Sequence, residues 1–319
     1  MSPAAPATLT PATNGAAPAR PPLTRKSLAA DHPTWCPGCG DFAVLAAFQR
    51  TLERLQYPQE NIVLFAGIGC SSRFPYFVNT HGGHFIHGRA LSIAAGVSLS
   101  RDDLHVFVFG GDGDGFSIGG NHLVHTARKN VRITYVIMDN FVYGMTKKQT
   151  SPTSPVGFQT KTDPTGALDQ SINPMRALIS SGATFVARSQ ATQVAHMTEM
   201  MERAARHDGF SVVEILSECV EFYPGAFDAA NPRKNGALKL IEEKKHDGSP
   251  EDAQRHDLSD EVAAFRLAAL PWPGVFGVFY EAARPTKNRL EAELIARSRE
   301  KTAGQSELQI LQSAFARLR

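Results

Sequence analysis

Four cysteines are the residues of this sequence whose spacing first indicates chemistry. Cys36 and Cys39 form a Cys-Pro-Gly-Cys segment, and Cys70 and Cys219 follow as single residues much further along the chain. A CxxC segment lets two sulfurs reach one metal centre, and two remote cysteines can complete a fourfold thiolate set. This spacing fits a [4Fe–4S] cluster better than structural zinc, which usually takes two close pairs. Unrelated buried cysteines are the third interpretation of the same residues.

A second group of residues could hold a diphosphate and its metal ion. Residues 110–115 read Gly-Gly-Asp-Gly-Asp-Gly and directly follow an apolar run, and Asn140 directly follows the next such run. A glycine turn between a strand and a helix lets backbone amides approach a diphosphate. Asp112 and Asn140 would then offer the hard oxygen ligands that Mg²⁺ prefers. Each motif alone is weak evidence, but one strand–helix–strand unit separates them, which brings both to the same edge of a sheet.

The elements that must position these residues alternate between helices and buried strands. Helical spacing of apolar residues predicts helices over residues 42–55, 91–99, 118–127 and 197–205. Continuous apolar runs predict strands over residues 62–66, 106–109, 133–138 and 212–216. This alternation predicts an α/β fold, with a parallel sheet that carries helices on both faces. Ligands of such sheets bind at the carboxyl ends of the strands, where the single cysteines and the glycine turn lie.

The sequence divides into three segments. Residues 1–30 are rich in proline and alanine and cannot assemble a core, so we expect a disordered tail. Residues 31–222 carry every motif and form the predicted ligand-binding domain. Residues 223–319 carry no motif and are predicted to be an extension that packs on the core or on a partner subunit. Its apolar stripe is expected to cover the protein's own core rather than to dock another chain, and consists of Leu308, Leu311, Phe315 and Leu318.

Composition excludes several classes of function. The 319 residues include 33 basic and 31 acidic side chains, and the formal net charge of +2 favours neither nucleic acid nor an anionic membrane surface. No apolar run reaches the roughly 18 residues of a membrane span. Prolines and threonines interrupt every candidate for a secretory signal near the start of the chain. Cysteines without such a signal indicate a reducing compartment, so we expect a cytoplasmic protein.

Several motifs in a fixed order resemble one known family. They are Trp35-Cys-Pro-Gly-Cys-Gly40, Gly67-Ile-Gly-Cys-Ser71, His87-Gly-Arg89, the Gly-Asp-Gly turn, and Asn140-Phe-Val-Tyr-Gly-Met-Thr-Lys-Lys-Gln149. From about Trp35 to Cys219 the sequence resembles the β subunit of 2-oxoacid:ferredoxin oxidoreductases, most closely the 2-oxoglutarate type. The resemblance implies a thiamine-diphosphate-binding fold over residues 31–222, which holds the coenzyme, Mg²⁺ and one [4Fe–4S] cluster.

The resemblance also assigns roles to residues by motif. The implied cluster ligands are Cys36, Cys39, Cys70 and Cys219. The implied Mg²⁺ ligands are Asp112, Asn140 and the backbone carbonyl of Val142. Contacts to the diphosphate and the thiazolium ring are implied for Ile68, Gly69, Cys70, Ser71, His87, Gly88, Gly113, Asp114, Gly144 and Met145.

Two further groups of residues have alternative interpretations. The resemblance favours Lys147 as the contact to the distal carboxylate of 2-oxoglutarate, but the residues alone are equally consistent with an exposed lysine pair formed with Lys148. A metal site made of His81, His84 and His87 is disfavoured, because diphosphate contact explains the His-Gly-Arg motif better.

The implied reaction converts 2-oxoglutarate, coenzyme A and oxidised ferredoxin into succinyl-CoA, carbon dioxide and reduced ferredoxin, through a thiamine-diphosphate enamine and radical. The alternative among enzymes is the same chemistry on pyruvate or a branched 2-oxoacid. The alternative from another class is a non-catalytic, zinc-stabilised binding subunit. In the family, the activating glutamate, the other half of the cofactor cleft and the coenzyme A contacts belong to an α subunit. The resemblance therefore implies an αβ or (αβ)₂ assembly.

Overall fold

The computed structural model describes residues 20 to 317 of the chain. Its strands, numbered in chain order, are β1 (Ile62–Ala66), β2 (His81–His84), β3 (His105–Gly111), β4 (Ile133–Asp139), β5 (Phe185–Gln190), β6 (Phe210–Leu216) and β7 (Gly277–Glu281). Its α-helices are α1 (Arg25–Leu28), α2 (Asp41–Leu55), α3 (Ala90–Ser100), α4 (Gly120–Lys129), α5 (Pro174–Ser180), α6 (Val194–Arg206), α7 (Glu261–Leu267), α8 (Lys287–Lys301) and α9 (Glu307–Ala316). None of these helices is long and apolar enough to cross a membrane.

The strands form one sheet in the order β2-β1-β3-β4-β6-β5-β7. All neighbouring strands are parallel except β5 and β7, which are antiparallel. The predicted α/β fold with a largely parallel sheet is therefore confirmed, and the four predicted strands are β1, β3, β4 and β6. In β1, β4 and β6 every residue is buried, because helices cover both faces, and this explains their continuous apolar runs.

Two apolar clusters hold the helices against the sheet. On one face α2 and α6 pack together through fully buried side chains such as Phe48, Leu52 and Met201. On the other face α3, α4, α5 and α7 contribute side chains such as Leu123 and Leu178. Burying side chains of this size stabilises the fold by about 1.5–3 kcal/mol each. The sheet is thereby fixed as a rigid support for the loops at its edges.

The helix predicted over residues 118–127 begins differently from the prediction. A π-helical turn, Gly113–Ile118, follows the glycine-rich end of β3 and precedes α4. The amide of Gly119 donates to the carbonyl of Asp114 at 3.0 Å, which closes the wide turn. Turns of this kind are frequent at functional sites, and here the turn carries the Gly-Asp-Gly motif.

The prediction of a disordered tail over residues 1–30 is wrong for residues 20 to 30. Leu28 is fully buried and Leu23 is nearly so, and both belong to the core cluster of α2 and α6. Ala29 forms an isolated β-bridge with Val78, and the side chain of Thr24 caps α1. The two leucines anchor this segment although the composition around them is proline-rich. Residues 1–19, the rest of the predicted tail, lie outside the described residues.

The C-terminal extension has two parts with different packing. β7 completes the sheet, and Phe276 beside it joins a small apolar cluster with Phe227. The stripe on α9 is instead exposed: Leu308, Leu311 and Phe315 are 63%, 53% and 61% accessible. The expectation that this stripe covers the protein's own core is therefore wrong, because other elements already occupy both faces of the sheet. Leu318 lies outside the described residues.

Candidate active site

The topology of the sheet gathers the predicted motifs at one edge. β1, β3, β4 and β6 are consecutive neighbours and run in the same direction, so their carboxyl ends lie side by side. Each end leads directly into a loop that carries a motif, and these loops begin at Gly67, Asp112, Asn140 and Ser217. This is the edge at which open α/β sheets bind their ligands.

A cavity of about 90 Å³ opens between the loops after β1, β3 and β4. It is called the cleft below. Its lining includes all but one of the predicted contacts to diphosphate and thiazolium, namely Ile68, Gly69, Cys70, Ser71, His87, Gly113, Asp114, Gly144 and Met145. Gly88 is the exception, and its amide donates to the Asp114 carboxylate at 2.8 Å. The three predicted Mg²⁺ ligands, Asp112, Asn140 and Val142, also line the cleft.

Asp112 and Asn140 offer oxygen atoms to a cation in this cleft. The Asp112 carboxylate is 2% exposed, and burial raises its pKa, although hydrogen bonds from Ser151 and Thr153 oppose this shift. The Asn140 side-chain oxygen accepts the amide hydrogen of Val142 at 3.1 Å, which fixes the turn after β4. A buried carboxylate and an amide oxygen form a donor set that fits Mg²⁺, which takes few protein ligands besides phosphate oxygens.

Sequence reasoning missed the hydroxyl group that joins the two aspartates of this edge. Thr153 Oγ1 lies 2.7 Å from Asp112 Oδ2 and 2.8 Å from Asp139 Oδ1. Asp139 is fully buried and also accepts the amide hydrogen of Phe141 at 3.0 Å. Thr153 therefore ties the loop after β4 to the Gly-Asp-Gly turn. Its loop has no hydrophobic period, so the sequence contains no signal for this contact.

Asp114 lines the cleft and also holds the surrounding loops together. Its Oδ1 accepts the amide hydrogens of Ile68 at 3.0 Å and of Gly88 at 2.8 Å, and it also pairs with His87 Nδ1. One buried carboxylate thus holds three loops together. A side chain at Gly67 would collide with this carboxylate, which explains the glycine there. His87 is held through its Nδ1 and lines the cleft.

The four cysteines line a second cavity, of about 300 Å³, called the thiol cavity below. None of them forms a disulfide within the described part of the chain. The thiol cavity shares four lining residues with the cleft, namely Cys70, Asn140, Gly144 and Met145. A Cβ atom placed on Gly144 would lie 3.5 Å from Cys219 Sγ and 3.9 Å from Cys70 Sγ. The two cavities therefore meet at the loop after β4.

Burial disfavours the free thiolate form of three of the four cysteines. Burial raises the pKa of Cys70 to about 11, and it raises the pKa values of Cys39 and Cys219 as well. Nearby backbone amides partly oppose this rise in pKa, that of Asp41 for Cys39 and chiefly that of Phe222 for Cys219. A metal ion deprotonates a coordinating thiol outright, and amides that face the sulfur stabilise the resulting charge.

The thiols surround a cavity rather than a point. Among residues 20 to 317, no three His, Cys, Asp or Glu side chains lie close enough together to hold a single metal ion. His81 and His84 lie on β2, where His84 pairs with the hydroxyl of Tyr76, while His87 lines the cleft.

Two hydrogen bonds, called the loop ties below, join the segments that carry the cysteines. The indole Nε1 of Trp35 donates to the carbonyl of Cys70 at 2.7 Å. The hydroxyl of Ser217 donates to the buried carboxylate of Asp41 at 2.6 Å. The first tie joins the CxxC loop to the turn after β1, and the second joins it to the end of β6. Side chains of the protein thus hold the three segments in place.

Lys147 and Lys148, which follow the cleft residues in the sequence, lie near different aromatic side chains. Lys147 and Lys148 both have positive φ, +78° and +76°. Lys147 Nζ lies 6.0 Å from the ring centre of Phe222 and lines the thiol cavity. Lys148 Nζ lies 5.3 Å from the ring of Phe158, on a different side of the loop. The two lysines therefore have different surroundings, and of the two only Lys147 lines the thiol cavity.

Comparisons with known proteins agree with this arrangement. Residues 67–215 match the family model "Thiamine pyrophosphate enzyme, C-terminal TPP binding domain". The chain is 48% identical over 216 residues to the 2-oxoglutarate oxidoreductase subunit KorB of Mycobacterium tuberculosis, a match that covers 68% of this chain but 57% of that protein. It is 37% identical over 251 residues to the 2-oxoacid:ferredoxin oxidoreductase subunit beta of Saccharolobus solfataricus, covering 77% and 81% of the two chains.

A solved structure supports the same relationship over nearly the whole chain. The 2-oxoglutarate:ferredoxin oxidoreductase from Magnetococcus marinus, with 2-oxoglutarate, coenzyme A and succinyl-CoA bound, matches with a TM-score of 0.80 and 36% identity. The match covers 92% of this chain and 96% of that one. The extent of this structural match and the name that the relatives share together identify the family of this chain. The chain belongs to the β subunits of the 2-oxoacid:ferredoxin oxidoreductases, a family of oxidoreductases.

Proposed function

We propose that this chain is the β subunit of a coenzyme A-dependent 2-oxoglutarate:ferredoxin oxidoreductase. The enzyme interconverts 2-oxoglutarate, coenzyme A and oxidised ferredoxin with succinyl-CoA, carbon dioxide and reduced ferredoxin. The observation that carries the proposal is the contact between the cleft and the thiol cavity at Gly144, because the reaction needs an electron acceptor beside the site of decarboxylation. The names of the mycobacterial relative and of the Magnetococcus enzyme support 2-oxoglutarate as the substrate.

The cleft would hold thiamine diphosphate and Mg²⁺. Asp112, Asn140 and the carbonyl of Val142 would bind the ion, and the amides of the π-helical turn would face the diphosphate. When bound, the coenzyme supplies a nucleophilic carbanion and an electron sink for decarboxylation. This chain's own contribution is positional. Asp114 fixes the loops that form the walls of the cleft, and Thr153 fixes Asp112 at its base.

The thiol cavity would hold one [4Fe–4S] cluster through Cys36, Cys39, Cys70 and Cys219. Four thiols around a shared volume fit such a cluster, and the backbone amides near Cys39 and Cys219 would tune its potential. When bound, the cluster supplies one-electron transfer to an external acceptor. The protein would keep the cluster next to the cleft, because Cys70 lines both cavities.

An α subunit would complete the site. The cleft has a volume of about 90 Å³, well below the roughly 300–1,000 Å³ of typical ligand pockets, so this chain supplies only part of a coenzyme site. Exposed apolar residues surround its mouth: Ile68, Ile86, Ile118 and Met145 are between 39% and 76% accessible. Such a surface is typical of one that a partner subunit covers. We propose that this partner also supplies the carboxylate that activates the coenzyme.

The proposal is tested by co-expressing the chain with its α subunit and assaying the complex anaerobically. We expect a brown protein that bleaches with reductant and reduces viologen when 2-oxoglutarate and coenzyme A are both present. Pyruvate, 2-oxobutyrate and a branched 2-oxoacid should give lower kcat/KM. A colourless zinc-containing protein, or full activity from this chain alone, would contradict the proposal. A preference for pyruvate would overturn only the proposed identity of the substrate and not the proposed reaction.

Lys147 is proposed to contact the distal carboxylate of 2-oxoglutarate. Lys147→Ala is therefore expected to raise KM for 2-oxoglutarate about ten- to a hundredfold, since a hydrogen bond to a charged group contributes roughly 1.5–3 kcal/mol. 2-Oxobutyrate lacks this carboxylate, so its KM should change by less than about twofold. Steady-state kinetics on both substrates make the measurement. Lys148→Ala is the matched control, and equal losses on both substrates with Lys147→Ala would reject the assignment.

A further inference from the structure

A separate cavity lies behind the loop that carries Thr153. It has a volume of about 290 Å³ and is lined by residues of the loops after β4 and α7 and by the buried side chains of Arg188 and Glu214. We call it the rear cavity. Thr153 and Phe141 form the wall between it and the Asp112 turn, and it shares no lining residue with the cleft. Its volume corresponds to the lower end of small-molecule sites, roughly 300–1,000 Å³.

Arg188 and Glu214 form an ion pair at the base of the rear cavity. They are direct partners on β5 and β6, and Arg188 Nε donates to Glu214 Oε2. The side chain of Glu214 is fully buried and that of Arg188 is 11% exposed. The guanidinium also lies 5.8 Å from the ring centre of Phe279, which holds its plane in position. The pair is therefore rigid and desolvated, and its remaining hydrogen-bonding groups are costly to leave unused.

Both partners keep unused hydrogen-bonding capacity. Glu214 Oε1 is buried and has no hydrogen-bond partner among residues 20 to 317. Within the same range, the hydrogen bond from Nε is the one that the guanidinium makes, so Nη1 and Nη2 remain free. A guanidinium edge of this kind binds a carboxylate with two parallel hydrogen bonds. Glu214 Oε1, beside this edge, lacks a hydrogen-bond donor among the residues that the structure describes. An ammonium group would supply the donor and place a positive charge next to the carboxylate.

The rest of the rear cavity combines apolar side chains with three polar ones, Thr153, Ser171 and Asn173, each of which is already hydrogen-bonded within the protein. Its walls include Phe141, Leu267 and Leu270, and its rim includes Trp272 and Ile172, which are 45% and 37% exposed. A ligand that satisfies the whole cavity has a carboxylate for Arg188, an ammonium on the neighbouring carbon for Glu214, and an apolar side chain for the walls. We propose that the rear cavity binds a small α-amino acid with an apolar side chain, as a site separate from the cleft.

One competing explanation involves Asp139. It lies on β4 next to β6 on the same face of the sheet as Glu214, and its Oδ2 also has no partner among the described residues. If a proton between these two carboxyl groups satisfied Glu214, the cavity would gain nothing from an ammonium group. The two explanations therefore predict different ligand preferences.

The test uses the intact αβ complex and isothermal titration calorimetry with three probes. L-Leucine carries all three recognised groups, 4-methylpentanoate lacks the ammonium, and 3-methylbutylamine lacks the carboxylate. We expect saturable binding of leucine at one site per β subunit, and each truncated probe should bind at least about tenfold more weakly, equivalent to ~1.4 kcal/mol. Binding should be unchanged when 2-oxoglutarate is saturating.

Variants at the rim keep the test independent of the buried ion pair. Ile172→Trp fills the mouth of the rear cavity and should abolish leucine binding, whereas Leu168→Trp, on the same loop but 85% exposed and outside the lining, should not. Failure of leucine to bind, equal affinity for 4-methylpentanoate, or no effect of Ile172→Trp would overturn the proposal. Competition by 2-oxoglutarate would assign leucine to the cleft instead. None of these outcomes affects the proposed oxidoreductase function.

Discussion

Replacing Cys70 by alanine in the proposed αβ complex is expected to remove the proposed iron–sulfur cluster and with it electron transfer to viologen. Cys70 lines both the thiol cavity and the cleft, so its loss opens the cluster site at the point nearest the reacting centre. Loss of a residue that only supports a metal ligand typically costs ten- to a hundredfold in metal affinity or activity, so loss of a ligand should cost at least about a hundredfold. Iron content and viologen reduction per complex are the measurements.

The same loss should follow from alanine at each of the other three cysteines, because a cluster needs all of its ligands. This equality separates a shared cluster from unrelated buried cysteines, which would give mild and unequal effects. Ser100→Ala is the control, since Ser100 is an exposed residue of similar size at the end of α3. Retention of wild-type iron and activity in any one cysteine variant would rule that cysteine out as a ligand.

Asp112→Ala is expected to weaken thiamine diphosphate binding in the presence of Mg²⁺ by about a hundredfold or more. The carboxylate is the charged member of the proposed ligand set, and neither Asn140 nor a backbone carbonyl can replace its charge. The fold should survive, because burial already disfavours the ionised carboxylate and Thr153 keeps Asp139 as an acceptor. The Tm of the variant without Mg²⁺ should therefore be no lower than that of the wild type.

Coenzyme titration monitored by calorimetry, at several Mg²⁺ concentrations, measures this effect. Asp102→Ala is the matched control. Asp102 is exposed, and its Oδ1 lies 3.6 Å from Nη2 of Arg132. Both residues precede the amino ends of β3 and β4, at the edge of the sheet opposite the cleft. If Asp112→Ala bound the coenzyme with wild-type affinity and wild-type Mg²⁺ dependence, the proposed metal site would be wrong.

The central part of the fold could be predicted because burial on both faces leaves a simple pattern. Strands β1, β3, β4 and β6 are mainly apolar, and the sequence predicts the ends of each to within a few residues, although β6 also contains Glu214. The other three strands lack that pattern. β2 reads His-Gly-Gly-His at an edge of the sheet, β5 contains Arg188, and β7 pairs antiparallel at the other edge. Their positions depend on neighbouring strands rather than on their own residues.

The candidate site divides in the same way. Residues at strand ends could be placed from the sequence, because parallel strands must end side by side. The structure gathers Cys70, Cys219, Asp112 and Asn140 as that argument requires. Contacts that are made through loops could not be predicted from the sequence. Thr153 reaches Asp112 from a loop without periodicity, and the role of Asp114 depends on the exact approach of two other loops. The prediction that Leu308 covers the core is wrong because an amphipathic stripe indicates a helix but not the surface on which that helix packs.

The loop ties bear on how the proposed cluster site would be assembled. Zinc-finger peptides fold only as their metal binds, but here Trp35 and Ser217 join the cysteine segments through hydrogen bonds to Cys70 and Asp41. We therefore expect folding of the polypeptide itself to bring these segments together, so that insertion of the proposed cluster need not drive folding.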